Sequence, residues 1–306
     1  MINFRYHVVS LTAVFLALAI GLVVGTAALN GPVADTLRNQ VTAVSQDNSN
    51  LRDQQNQFRD ELNRAQDFAG EVAPALLNGK LTGRTILVLA LPGSNDYVDQ
   101  VIAMLRVAGA GITAKVTVQD KFFDPLNNVE LLDLAENTSQ PTVPAEGLPR
   151  NSYGPETASA LLARALLQQD QPVAADDLTA VLTAYSEAGY IAVDDGATGG
   201  AEATVIVSGL PPVDQNAPKK AQAAVTLATQ FTEQPTVVAG DGVIDGSLVS
   251  QVRTDPALVR TISTVDNAGS TQGQLATALT AVERVVAGRT GQYGVGAASL
   301  VPTAAP

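Results

Sequence analysis

The sequence has no cysteine and no tryptophan, one histidine (His7) and two methionines (Met1 and Met104) among its 306 residues. Without cysteine there can be no disulfide, no thiolate metal site and no thiol nucleophile. With its single histidine at the extreme N-terminus, the chain has no imidazole to serve as base for a serine nucleophile in its body. Basic residues are also scarce, 18 against 30 acidic ones, for a net charge of -12. Such a surface repels nucleic acid and anionic lipid. There is no P-loop, and no G-x-G-x-x-G follows the first strand, so nucleotide chemistry has no motif to rest on. No spacing of carboxylates supports a glycosidase-type pair. The sequence therefore reads as non-catalytic, with no catalytic residue to assign.

What is present falls into segments. Val8 to Leu29 is an uncharged apolar run of 22 residues, roughly 33 Å as a helix and so long enough to cross a bilayer. Arg5 and the N-terminal amine precede it. The positive flank predicts a cytoplasmic N-terminus, a single pass of the plasma membrane and an extracytoplasmic bulk. Residues 1–30 thus form a cytoplasmic lip and anchor. A cleaved signal peptide is the competing reading, because Gly25-Thr26-Ala27 resembles a cleavage site, but the run exceeds the usual signal length. Ala17, Gly21 and Gly25 lie four apart, with Ala13 before them, and this small-residue face admits close packing of a second membrane helix.

After Asn30-Gly31-Pro32 the pattern changes to heptads over residues 33–78. Leu37, Val41, Val44, Asn48, Leu51, Gln55, Phe58, Leu62, Val72 and Leu76, with Ala65 and Ala69 between the last three, alternate spacings of four and three. The narrow seam predicts a coiled-coil stalk. Asn48 at an a position favours two parallel strands in fixed register, hence a homodimer. A helix folded back on its own head is the alternative. A stalk of this length would measure on the order of 65 Å.

Residues 84–288 read as an α/β head. Thr85 to Gly93 is a buried strand running into a turn; Ser94, Asn95 and Asp96 are N-cap candidates for a helix over 97–108; a strand follows over 112–118. This βαβ opening is followed by helices over 129–134, 156–169, 175–188, 218–232 and 272–287. Strands fall at 190–193, 203–208, 236–239 and 261–265, and a polar loop at 137–153. The alternation predicts a mostly parallel sheet of the Rossmann-like or flavodoxin-like kind. The Gly-, Ala- and Pro-rich residues 289–306 read as a disordered tail.

On such sheets ligands bind beyond the strand C-termini. Gly93, Ser94, Ser208, Gly209, Gly240, Asp241 and Asp266 occupy those ends and form the candidate cleft. Turn residues belong there for structural reasons as well. Asp194, Asp195 and Asp245 stand nearby, and convergence of several of these acids would suit a hard cation. The segment 240–246 lacks the full spacing of a calcium loop, however, and no metal site is assigned.

The opening NFRYHVVSLTAVFLALAIGLVVG, the heptad stalk and TILVLALPGSND, together with ATVIVSG, TISTVDNAGSTQGQLATAL and GQYGVGAAS, resemble the mycobacterial copper transporter MctB family along nearly the whole chain. Within it the sequence is similar to the corynebacterial SteB-type cell-envelope proteins. That resemblance implies a role in cell-wall and division regulation, with a SteA-like partner at the membrane and a cell-wall hydrolase. The family name implies the alternative, copper efflux or a channel, with copper as the only conceivable cofactor. Copper prefers thiolate, thioether and imidazole ligands. Here Met104 reads as core, and His7 and Met1 lie at the cytoplasmic lip.

Overall fold

The computed structural model describes residues 4–29, 32–149 and 151–302. Met1, the N-terminal amine, Asn30-Gly31 and the last four residues of the expected tail lie outside the described residues. The chain divides into two units, residues 1–64 and 65–306.

The first unit is helical. Helix α1 (Phe4–Leu29) carries no charged side chain on any face beyond Arg5 and His7 in its first turn. It is the one described helix long and apolar enough to cross a membrane, over Phe4–Ala27. Helix α2 (Pro32–Leu77) begins at a proline, which needs no donor at the first position, and continues for 46 residues. From Leu37 to Leu62 its seam residues are all exposed.

The second unit takes in the last turns of α2 and the head. After β1 (Thr85–Ala90) come α3 (Val98–Val107), β2 (Gly111–Val118) and the single-turn α4 (Asp120–Phe123). Helices α5 (Asn128–Asn137), α6 (Gly154–Leu166) and α7 (Ala175–Glu187) then lead to β3 (Ile191–Val193) and β4 (Ala203–Ser208). The remainder is α8 (Ala217–Gln230), β5 (Thr236–Gly240), α9 (Leu248–Thr254), α10 (Leu258–Thr261), β6 (Ile262–Val265), α11 (Thr271–Val286) and β7 (Gln292–Tyr293). The sheet order is β3-β2-β1-β4-β5-β6-β7. Every neighbouring pair is parallel except β2 with β3, whose short edge strand runs the other way. The mostly parallel α/β head is as the alternation predicts.

Because strand side chains alternate between faces, β1 feeds two cores. Leu87 and Leu89, with Leu91 just past the strand, pack with α6, α7 and α8 residues on one side. Ile86, Val88 and Ala90 pack with α3, α11 and the end of α2 on the other. Strands buried on both faces explain why β1 and β4 are near-continuous apolar runs.

Three expectations need correction. The heptads predict a stalk to residue 78, but Ala69, Ala73 and Leu77 are buried in the head core, and Val72 packs against it half-buried. Their i, i+4 spacing sets them on one face, and the small side chains let α2 approach closely: a Cβ built on Gly70 would lie 3.8 Å from the Thr271 methyl. The tail beyond 288 is not loose in its described part. Gln292–Tyr293 adds a seventh strand to β6, and the Tyr293 hydroxyl donates to Glu283 at 2.6 Å. Finally, α3 has no side-chain cap from Ser94, Asn95 or Asp96. Ser94 instead closes a turn ahead of the helix, its hydroxyl donating to the Leu91 carbonyl at 2.7 Å, and the N-cap position falls on Tyr97, which has no side-chain acceptor bond to offer.

Candidate functional site

The strand order reverses between β1 and β4: the chain builds outward from β1 through β2, then returns to β1's other side. This is the switch point at which open α/β sheets form a crevice beyond their strand C-termini. A cavity of about 280 Å3 lies there, walled by Leu91, Phe123, Leu210, Ala221, Ala224 and Leu248, with Pro92, Pro211 and Pro212 at its edge.

Two strand-end loops make its floor. Gly93 has φ +80°, a left-handed conformation that glycine alone adopts without cost. Gly209 is packed so closely that an added Cβ would collide with the Pro92 carbonyl and the Gly93 backbone. The Tyr97 hydroxyl, reaching from the residue that opens α3, donates to the Ser208 carbonyl at 2.5 Å and fixes the end of β4. Burial, and then the nearby Asp241 and Asp96 carboxylates, push the Tyr97 phenol well above its ordinary range, so it stays a donor.

Three polar side chains line the cavity, Ser208, Lys220 and Asp120. Ser208 lies two residues beyond Ile206 and so on the same sheet face; it is buried, lines the cavity, and its Oγ has no hydrogen-bond partner. Lys220 of α8 also lines the cavity, its side chain only 9% exposed and bonded to Asp120 Oδ2 at 2.6 Å and Asp214 Oδ2 at 2.7 Å. Burial works to lower the ammonium's pKa, but the hydrogen bonds it donates to Asp120 and Asp214, with their charges, outweigh it and the net shift is upward. The hydrogen bond from Lys220 in turn holds Asp214 below the ordinary carboxylate range. The trio therefore carries one positive and two negative charges.

Of the candidate cleft residues, Gly93, Ser208 and Gly209 come together at this cavity. Gly240 stands beside it on β5, where a Cβ would come 2.8 Å from Ser208 Oγ. Ser94 is buried under the loop in its own turn. Asp241 forms a bridge with Asn267. Asp266 is buried in an ion pair with Arg253 at 2.7 Å. Asp194 lies 3.9 Å from Lys115, at the other edge of the sheet, and Asp245 is exposed in the loop before α9. Among the described residues no three His, Cys, Asp or Glu side chains group where they could hold a metal ion. The seam residues and the Ala17–Gly21–Gly25 face stand on α2 and α1, and a Cβ on Gly21 or Gly25 would meet nothing within 4 Å.

Sequence reasoning missed Lys220, Asp120 and Phe123. A lysine in the exposed-looking pair Lys219-Lys220 gives no sign that one of the two is buried. The apolar pair Phe122-Phe123 was the available signal for a helical turn against the sheet.

Comparison with known proteins covers almost the entire chain. Residues 1–302 match the family described as "Copper transport outer membrane protein, MctB". Proteins named copper transporter MctB from Mycobacterium tuberculosis and Mycobacterium bovis are 29% identical over 321 residues, 99% of this chain and 99% of theirs. The Mycobacterium leprae protein of that name is 30% identical over 310 residues, 97% of each chain.

Proposed function

The chain belongs to the MctB family, and from that premise we propose that it is a non-catalytic, membrane-anchored envelope protein that pairs through α2 as a parallel coiled coil and offers its head to envelope partners. The observation that carries this reading is the seam on α2. Leu37, Val41, Val44, Leu51, Phe58 and Leu62 are exposed, Val41 at 68% and Phe58 at 69%. Covering six such side chains is favourable by on the order of 10 kcal/mol per chain. Association in solution costs a similar amount, and confinement of both chains to one bilayer lowers that cost through effective concentration. Anchoring by α1 in the same leaflet order also selects parallel over antiparallel pairing. The small-residue face of α1 supports close approach in the same sense. Arg5 ahead of the span supports a cytoplasmic N-terminus and an extracytoplasmic head. Resemblance to SteB-type proteins points to a SteA-like partner and to control of a cell-wall hydrolase in division.

Copper as a transported substrate is not favoured by the donor inventory. The sequence offers no cysteine, its histidine stands at the start of α1, and Met104 is half-buried against the α3 side of the core. None of this is the soft-ligand set copper prefers.

The absence of cysteine makes the pairing directly testable. Val41→Cys at an a position should crosslink the full chain to a covalent dimer under mild oxidation in membranes. Gln46→Cys, on the outer face of the same helix, should stay monomeric. Equal crosslinking at both positions, or none at Val41→Cys, would remove the reading. Leu51→Asp with Leu62→Asp should abolish the Val41→Cys crosslink and partner capture together.

A further inference from the structure

We propose that the cavity between β1 and β4 is a peptide-recognition pocket, taking one aliphatic side chain of a partner together with an adjacent backbone carbonyl, and favouring a basic neighbour in that peptide. This deepens the reading of the head as a partner-binding surface. Pairing through α2 plays no part in it.

Four features lead there. The volume, about 280 Å3, is at the small end for ligand sites; it suits one aliphatic side chain and its amide rather than a large cofactor. Its walls are mostly apolar; Ser208 and Lys220 bring donors to it, and the Asp120 carboxylate, which also lines it, already accepts from Lys220. Ser208 is 4% exposed and lines the cavity, and its buried hydroxyl has no hydrogen-bond partner. A buried hydroxyl without a partner is costly, and a ligand carbonyl supplies the missing acceptor. The Lys220 ammonium has three donors, of which the two carboxylates engage two.

The charge balance then chooses between ligands. Asp120 and Asp214 are 63% and 51% exposed at the side-chain level, so an excess of one negative charge faces outward from the Lys220 trio. A carboxylate or phosphate ligand would be repelled and a basic side chain attracted. Finally, the apolar surface continues outside the cavity: Leu210 is 63% and Val213 97% exposed. Exposed apolar surface at the rim of a cavity suits a partner that also covers the surroundings of the cavity.

The test uses the full chain in lipid nanodiscs, with empty discs as blank, and saturation-transfer NMR. The probes are acetyl-leucyl-lysine amide, acetyl-leucyl-glutamate amide and methyl hexanoate. The lysine peptide should bind, and the glutamate peptide should bind more weakly by about five-fold or more, with the gap closing at high salt. Ser208→Ala should weaken the lysine peptide by about five-fold, the size of one neutral hydrogen bond. Ala224→Trp, which fills the cavity, should abolish binding. If that variant does not fold, Leu210→Trp at the exposed rim should reduce access instead. Absence of binding by the lysine peptide to the unaltered chain, equal binding of the glutamate peptide, or binding that survives a folded Ala224→Trp would each overturn the proposal. Methyl hexanoate outcompeting the peptide would make the cavity a lipid site and overturn it as well. Because the Val41→Cys crosslink is read on α2 alone, failure here leaves the pairing untouched, and the converse holds.

Discussion

Arg253 commits its whole guanidinium to the C-terminal edge of the sheet. Its Nε donates to Thr264 Oγ1 at 2.8 Å, one terminal nitrogen to Asp266 Oδ2 at 2.7 Å, and the other to the Tyr293 carbonyl at 2.7 Å. Asp266 is 3% exposed and accepts a further bond from the Gly296 N–H at 3.0 Å. Removing one partner of a buried ion pair strands the other in low dielectric, which costs far more than the pair itself contributes. Arg253→Ala should therefore destabilise the head by about 3–5 kcal/mol, read from urea unfolding. Asp266→Asn, which keeps shape and some hydrogen bonding, should cost clearly less. A fall of under about 1 kcal/mol for Arg253→Ala would mean the pair is solvated after all. Little of this was legible in the sequence. Asp266 was visible only as an acid after a strand, and a strand-end acid is ordinarily read as cleft or solvent. Its partner lies 13 residues away on a helix of seven residues, too short to announce itself by periodicity. Lys220 was hidden in the same way, because burial of a charge depends on what the fold brings opposite it.

At the scale of elements, the readable and the unreadable separate by length of pattern. The apolar runs of β1 and β4 and the amphipathic periods of α6, α7, α8 and α11 emerged near their observed bounds, since each repeats a period several times. A two-residue strand such as β7 has no period, and its Gly-rich setting argues for looseness; it is tertiary contact, through Tyr293 with Glu283 and through Arg253, that holds it. Deleting residues 289–306 should therefore lower head stability measurably in urea, whereas loss of a truly loose tail would leave the midpoint unchanged. The end of α2 shows a related limit. One heptad line runs from Leu37 to Leu76, yet from Ala69 onward the helix spends its i, i+4 face on the head, leaving Phe68 exposed at 66% beside the line. Leu77, fully buried, should cost about 2–4 kcal/mol of head stability when changed to Ala. Leu51→Ala should leave the head's unfolding midpoint unchanged and weaken only pairing. Equal effects from the two would mean that α2 unfolds as one cooperative unit with the sheet.

For the whole molecule, the strongest pH dependence on the head lies on the alkaline side, because its tyrosines are built in as neutral phenols. Burial raises Tyr97 and Tyr185 far above the ordinary value of 10 and Tyr190 and Tyr293 to about 12. Carboxylates push three of these further: Asp241 and Asp96 act on Tyr97, Glu130 on Tyr190 and Glu283 on Tyr293. Each folded value exceeds the unfolded one, so the unfolded chain gives up its phenolic protons first. The stability these groups contribute is complete below about pH 10 and is lost as pH climbs through the folded values, starting with Tyr190 and Tyr293 near 12. A molecule that already carries a net charge of -12 at neutrality gains more negative charge as this happens, and self-repulsion adds to the drive. Tyrosinate absorbance and loss of the head's circular dichroism should therefore rise together in one transition above pH 10. Appearance of most of the tyrosinate near 10 in a head that keeps its dichroism would show these hydroxyls to be in contact with water, and the two cores on either side of the sheet to be less closed than their burial indicates.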